Sequence, residues 1–355
     1  MKALVLAGGT GTRLRPFSYS MPKQLIPVAN RPVLEHVLDN IRDLGATDVG
    51  VVVGDTGPAI REALGDGSRF GARITYLHQD RPRGLAHCVA LAHDFLGTDD
   101  FVMYLGDNML PEGVADIADD FRRTRPTAQV VVHKVPDPHA FGVAELDTDG
   151  TVLRLVEKPR HPRSDLALIG VYFFTPAIHE AVAAIRPSPR GELEITDAVQ
   201  WLVAHGATVR ATTYHGYWKD TGRAEDVLDC NRRLLGALRP AVHGHVDTHS
   251  RVAPNVLVEP GARIVRSHVE GPAVIGANTL VEDSHIGPDT SIGRDCVVRS
   301  TRLTDSIVMD GATITHVPGL RASLIGRSAA VRPTGAGESR HRLVIGDHTR
   351  VEVAP

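Results

Sequence analysis

The sequence predicts an α/β domain on a mostly parallel sheet over residues 1–240, followed by a parallel β-helix over 241–355. Two observations predict this. Up to Pro240, short β-branched runs alternate with segments of helical apolar spacing, the pattern of an α/β fold. After Pro240, Val or Ile recurs every six residues, with small residues, Gly, Asn, Asp and Pro between, as in "IGPDTSIGRDCVV". That period fits neither a helix nor ordinary strand alternation. It fits a hexapeptide coil in which each side of a triangle buries one aliphatic residue.

The elements follow in order. In "MKALVLAGGTGTRLRP" the run 3–7 reads as a buried strand, and Gly8, Gly9, Thr10 and Gly11 as a turn built for close approach. The turn matches neither standard phosphate-binding pattern: Arg13 stands where a P-loop needs its second glycine, and Leu14 where a dinucleotide fingerprint needs its third. "RPVLEHVLDNIRDLG" (31–45) sets Val33, Leu34, Val37, Leu38, Ile41 and Leu44 at helical spacing, with Gly45 as C-cap. Strands are expected at 48–54, 101–106 and 128–135. A helix is expected at 192–206, with Glu194 or Thr196 near its start, and a last one at 224–240, closed by Pro240. The periodic residues of the C-terminal part are Val252, Val258 and Ile264; Ile275 and Val281; Ile286, Ile292 and Val298; Val308 and Ile314; Ile325 and Val331; Ile345 and Val351. Their register slips at 264–275 and breaks between 331 and 345, so an inserted loop is expected around "RPTGAGESRH".

Composition narrows the classes. A net charge of −3 gives no support to a nucleic-acid or anionic-membrane partner. Cys88, Cys230 and Cys296 are odd in number and far apart, which suggests neither a disulfide framework nor a zinc cluster. No apolar stretch approaches the ~20 residues that span a bilayer, and a strand at the very start leaves no room for a signal peptide, so a cytoplasmic protein is expected.

Three features converge on the C-terminal edge of the expected sheet, where α/β proteins bind ligands. The glycine loop can cradle phosphate oxygens with its N–H groups, Arg13 can add a bidentate contact, and "PKQLIPV" supplies Lys23 as a second cation. In "YLGDNML" an apolar strand ends at Gly106, which places Asp107 to hold Mg²⁺; a turn-forming Asp-Asn pair is the plainer alternative. In "GYWKDTGRAEDV", Asp220 either caps the last helix with Thr221 or faces Asp107 as the second carboxylate of a metal pair.

"LVLAGGTGTRLRP", "PKQLIPV", "LGDN", "VEKP", "RGELEITD" and "WKDTG", in this order and spacing, resemble the sugar-1-phosphate nucleotidylyltransferases, and more narrowly the glucose-1-phosphate thymidylyltransferases, over nearly all of residues 1–240. The appended repeat resembles the long form of that family, found in deoxysugar and antibiotic-glycoside pathways. The resemblance implies a Rossmann-like nucleotidyltransferase sheet with a C-terminal left-handed parallel β-helix. It implies Gly8, Gly11 and Arg13 around the triphosphate of dTTP, with Lys23 beside the reacting phosphates. It implies Gln79 and Gly84 at the thymine edge, and Gly142, Glu157, Lys158, Val171 and Arg190 at the glucose 1-phosphate site. There Glu157 would take sugar hydroxyls and Lys158 the sugar phosphate, while Asp107 and Asp220 would hold Mg²⁺. The implied reaction is in-line attack of glucose 1-phosphate on the α-phosphorus of dTTP, giving dTDP-glucose and pyrophosphate, the first step of deoxysugar nucleotide biosynthesis. His87 stands where some relatives place Gln.

Three other readings compete. A UTP- or ATP-using relative is opposed by Gln24, Gln79 and the "LEITD" run. A bifunctional nucleotidylyl/acyltransferase would use His268, His285 or His316 as base. A non-catalytic sugar-nucleotide sensor or scaffold predicts loss of Arg13, Lys23, Asp107 and Asp220, all of which are present. The histidines of "HGHVDTH" (243–249) read as linker residues. The β-helix is expected to serve stability and homo-oligomer assembly through its flat faces.

Overall fold

The computed structural model describes residues 1–333. The repeats expected at Ile345 and Val351, and nearly all of the loop expected around "RPTGAGESRH", lie outside the described residues. The chain divides into two compact units, one of Met1–Thr10 with Val33–Asp220, the other of Gly11–Pro32 with the chain from Thr221 on.

The first unit runs β1 (Lys2–Leu6), α1 (Val33–Asp43), β2 (Asp48–Val53), α2 (Gly57–Leu64), β3 (Arg73–His78), α3 (Leu85–Leu91), β4 (Phe101–Leu105), β5 (Asn108–Met109), α4 (Ala115–Thr124), β6 (Ala128–Lys134), β7 (Gly142–Leu146), β8 (Val152–Glu157), β9 (Leu166–Phe174), α5 (Ile178–Ala184), α6 (Ile195–Ala204), β10 (Val209–Thr213) and β11 (Lys219–Asp220). Nine of the described strands form one sheet in the order β8-β7-β9-β4-β1-β2-β3, with β6 on β9 and β10 on β6. The β4-β1-β2-β3 part is parallel, and β6 and β10 pair in parallel as well. Antiparallel pairing enters through β7, β8 and β9. The central strand β1 buries Ala3, Leu4 and Val5 completely, as a parallel strand covered on both faces should. Leu4, Phe101, Val130 and Phe174 of the sheet pack with Ile178 of α5 and Val199 of α6 in one core. The face expected on α1 is the buried one, and Gly45 takes φ 71° to close it, its N–H on Arg42 O at 2.7 Å. Among the described residues no helix is long and apolar enough to cross a membrane.

The second unit carries three stacks of short parallel strands, a parallel β-helix. Register partners on successive coils are mostly seventeen residues apart, as in Val256 with Ala273, Leu280 with Val297 and His285 with Arg302. This corrects the uniform six-residue period. The inward residues run Val258, Ile264, Val269, Ile275, Val281, Ile286, Ile292, Val298 and Leu303, all fully buried, so two sides of the coil take six residues and the third takes five. The apparent slip at 264–275 is this short side, and Val269 and Leu303 are the core residues that a fixed period skips. The corner leading into it turns on left-handed residues at Arg266, Asp283 and Ser300. A hydroxyl ladder staples it, with Ser267 N–H on Ser250 Oγ (3.0 Å), Ser284 N–H on Ser267 Oγ (3.0 Å) and Thr301 N–H on Ser284 Oγ (3.1 Å).

The segment Gly11–Pro32 belongs to this unit through α7 (Ala224–Leu235). Asn231 of α7 is fully buried; its Oδ1 accepts the N–H of Ala29 (2.8 Å) and the hydroxyl of Ser291 (2.9 Å), and its Nδ2 donates to Asp289 O (3.1 Å). Asn30 Nδ2 donates to Ile292 O at 2.7 Å, and Arg232 grips Asp305 with Nε and Nη2 at 2.7 and 2.9 Å. The last helix stops at Leu235 rather than running to Pro240, because Gly236 follows and tight turns from Leu234 and Leu235 carry the chain out.

Candidate active site

Loops after three parallel strands supply the first residues. Gly8 follows β1, Gln79 follows β3 and Asp107 follows β4, all at the C-terminal edge of the parallel part of the sheet. Gln79 is nearly buried, and its Nε2 donates to His87 Nδ1 (2.9 Å) and to Cys88 Sγ (3.3 Å). With both amide hydrogens engaged there, Oε1 is the group Gln79 presents beside Gly8, where a Cβ would stand 3.4 Å from it. Burial pushes the Cys88 thiol up to about 12. Burial, with the Arg83 charge adding and Asp80 opposing, lowers the His87 pKa, which keeps Nδ1 an acceptor.

Gly84 opens α3 at φ 97°, and a Cβ there would lie 2.4 Å from Leu193 O and 2.7 Å from Leu193 N. Only glycine fits. Leu193 N–H donates to Arg83 O (2.8 Å) and Leu193 O accepts from Ala86 N–H (3.0 Å), so the segments carrying Gln79 and Arg190 are tied together.

Glu157, at the end of β8, is the centre of a polar cluster. Its Oε1 takes Arg190 Nη1 at 3.3 Å and Lys158 Nζ at 3.4 Å, and its Oε2 takes Thr196 Oγ1 at 3.1 Å. Gly142 is its register partner on β7; a Cβ there would meet Thr196 Cγ2 at 2.7 Å and Glu157 Oε2 at 3.2 Å. Arg190 also reaches Glu194 Oε1 at 3.1 Å. Burial raises the pKa of Glu194, against the opposing hydrogen bond from Ser188, and burial followed by Glu157 raises that of Asp197. Lys158 holds a left-handed φ of 42°, which turns it out of the strand. Val171 is fully buried on β9 opposite Tyr104, so its side chain belongs to the core.

The structure brings Asp107 and Asp220 to neighbouring positions. β11 pairs with β5 antiparallel, Asp220 opposite Asn108, one residue from Asp107. The Asn108 side chain links Asp107 to Trp218, its Nδ2 on Asp107 Oδ1 (3.3 Å) and its Oδ1 accepting Trp218 Nε1 (2.7 Å). Asp220 is therefore a strand residue and not a cap of α7, which begins at Ala224 after Arg223. Glu194 and Thr196 were expected only as helix-start residues, and Asn108 and Trp218 were given no role; in the structure Thr196 holds Glu157 from 39 residues away, Glu194 holds Arg190, Asn108 holds Asp107, and Trp218 holds Asn108.

Gly11, Arg13 and Lys23 lie in the second unit. Gly11 has φ 64°, and a Cβ there would be 3.1 Å from Lys23 Cβ, so the turn of Arg13 (Thr12–Leu14) and the turn of Lys23 (Lys23–Leu25) meet at that glycine.

Comparison with known proteins bears on this geometry. The nucleotidyl transferase family model matches residues 2–236. The chain is 56% identical over 356 residues to a glucose-1-phosphate thymidylyltransferase of Streptomyces griseus, with 100% of both chains covered. It is 52% identical over 354 residues to one of Streptomyces antibioticus, with 99% of each covered. A crystal structure of a candidate glucose-1-phosphate thymidylyltransferase of Bacillus anthracis, in complex with sucrose, superposes with a TM-score of 0.63 at 32% identity, over 68% of this chain and 97% of that one.

Proposed function

The chain belongs to the nucleotidyl transferase family, and from that premise we propose that it transfers a thymidylyl group from dTTP to glucose 1-phosphate, giving dTDP-glucose and pyrophosphate. The observation that carries this reading is its likeness, over the whole length, to the two Streptomyces thymidylyltransferases. The reaction joins two polyanions. The entering phosphate has a second pKa near 6 and is largely dianionic at neutral pH, so it needs charge compensation and alignment more than a base.

This chain's residues supply both. Glu157, fixed by Thr196 and Arg190, accepts hydroxyls of the sugar, and Lys158 neutralises the sugar phosphate. Gln79 Oε1, with the amide hydrogens on His87 and Cys88, accepts the N3–H that thymine and uracil share and cytosine lacks, so, contrary to the expectation from sequence, this contact does not oppose UTP. Gly8, Gly11 and Arg13 take the triphosphate, Lys23 the reacting phosphates, and Arg13 the charge of departing pyrophosphate. Asp107, in the turn before β5, and Asp220, opposite Asn108 on β11, offer oxygen donors only, which suits a hard divalent cation such as Mg²⁺. Bound there, Mg²⁺ would supply further neutralisation of the phosphates. A cytoplasmic location and a homo-oligomer assembled through the β-helix go with this reading, the latter open to analytical ultracentrifugation.

The test is pyrophosphate release with glucose 1-phosphate and each of dTTP, UTP and ATP, with products identified by mass spectrometry. The expected result is dTDP-glucose as the fastest-formed product; faster turnover with UTP or ATP would overturn the nucleotide assignment.

A further inference from the structure

One group of side chains on the β-helix, outside the candidate active site, has the make-up of a metal centre. His268 and His285 are register partners on adjacent coils, so they leave the same face one strand spacing apart. Glu270 follows His268 by two residues and points to the same outer side, because Val269 between them is fully buried. Glu270 Oε1 stands 2.9 Å from His285 Nε2 and 3.7 Å from His268 Nε2, so both rings aim the same nitrogen at one carboxylate oxygen. The rings meet edge to face with centroids 5.2 Å apart. Among the described residues, this is the one grouping of three ligating side chains whose donor atoms all lie within 4.8 Å of one another.

We propose that His268, Glu270 and His285 form a binding site for a divalent transition-metal ion, zinc being the fitting one. Two imidazoles and one carboxylate are a borderline ligand set that favours zinc over magnesium, so the ion differs in kind from the one proposed for Asp107 and Asp220. Tetrahedral zinc with ligands at about 2.0–2.2 Å holds its donors roughly 3.3–3.5 Å apart. The distances of 2.9 and 3.7 Å bracket that spacing. All three side chains are between 36% and 46% exposed, which leaves the rotamers free to close on an ion while the stacked coils fix the backbone. His268 and His285 line a groove of about 620 Å³ together with Arg251, Ser284, Thr301 and Arg302. Arg251 and Arg302 continue the same column on either side, Arg251 opposite His268 and Arg302 opposite His285. Water or a small anion would complete the shell there.

The competing state is an ion pair of Glu270 with protonated His285, which needs no metal. To separate the two, full-length protein is stripped with chelator, titrated with zinc in excess magnesium by calorimetry, and assayed for retained metal after gel filtration. Cobalt(II) substitution reports the coordination geometry by its visible bands. The expected result is one zinc per chain, with tetrahedral cobalt bands. Both should be lost in the His268→Ala/His285→Ala variant, and binding should be at least ten-fold weaker in Glu270→Gln. Far-UV circular dichroism and melting, unchanged in these surface variants, establish that the coil is intact. Equal zinc retention by wild type and the double variant, or none by wild type, overturns the proposal. The readout is metal content and not turnover, so it is independent of the proposed reaction.

Discussion

Replacing Gly84 with alanine tests how the base-reading and sugar-reading segments are coupled. At φ 97° and ψ 169° an alanine sits in a region that is nearly glycine-only, which costs about 1–3 kcal/mol. Its Cβ would also fall 2.4 Å from Leu193 O, a main-chain atom that cannot rotate away. Relief requires the two strands of chain to part, which breaks the hydrogen bonds Leu193 N–H to Arg83 O and Ala86 N–H to Leu193 O, each worth about 1 kcal/mol. The sum is about 3–5 kcal/mol, or roughly 6–20 °C in the melting of a domain of about 200 residues. Gly191→Ala is the control: φ is 77°, but nothing lies within 4 Å of the added carbon, so only the backbone strain of about 1–2 kcal/mol applies. Thermal melting with steady-state kinetics compares the two. Gly84→Ala should melt several degrees below Gly191→Ala and raise KM for both substrates, because both segments move. Equal melting temperatures, with unchanged KM values, would refute the claim that the Leu193 contact is rigid and shared.

Further outcomes follow from the same geometry. Glu157→Gln removes a charged hydrogen-bond centre worth about 1.5–3 kcal/mol, so KM for glucose 1-phosphate should rise roughly 10–100-fold while KM for dTTP changes less than about three-fold; parallel rises would contradict the sugar assignment. Asp107→Asn and Asp220→Asn should each lower kcat by more than the ~10–100-fold typical of outer-shell changes, with more Mg²⁺ needed for half-maximal rate; an unchanged Mg²⁺ dependence would count against the carboxylate pair. Because the folded His87 pKa is lowered, its neutral form is the stabilised one, a contribution present above the ordinary value near 6.5 and lost as pH falls below it. Protonation would set two donors against each other and flip the Gln79 amide. KM for dTTP should therefore be flat from pH 8 to about 6.5 and climb below, and the climb should vanish in His87→Gln. An identical acid limb in that variant would exclude His87 as its origin.

Local features were legible in the sequence; features made by distant pairing were not. The run 3–7 and the run 101–105 announce buried strands by composition, and a carboxylate just past such a strand is a readable ligand candidate, as at Asp107. Asp220 admitted two readings because a two-residue strand has no period to detect. Its pairing opposite Asn108 spans more than a hundred residues, and only the fold decides it. Antiparallel β7–β9 were likewise unmarked, since Val143, Val156 and Val171 look alike in either pairing direction. The coil repeat was visible, but its alternation of two long sides and one short side was not, because Val269 and Leu303 fall off a six-residue phase. Asn231 is the plainest miss. Nothing in "DCNRRLL" marks it, yet it is fully buried and bonded to three residues in two distant segments, Ala29 and the pair Asp289 and Ser291.

That asparagine has a consequence for biosynthesis. The hydrogen bond from Ala29 to Asn231 joins residues 202 positions apart, and the unit they share also needs Asp289 and Ser291. A ribosome adding about 5–20 residues per second has emitted Ala29 and Asn30 many seconds before Asn231 and Ile292, their partners, exist. The unit of Met1–Thr10 and Val33–Asp220 can close around its own core in that interval, before Ala29 meets Asn231. The bonds that hold Ala29 and Asn30 would thus be among the last to form. A nascent chain arrested before the coil emerges would hold a nearly finished sheet with Ala29 and Asn30 still lacking their partners, so the second unit would be completed only when synthesis is almost over.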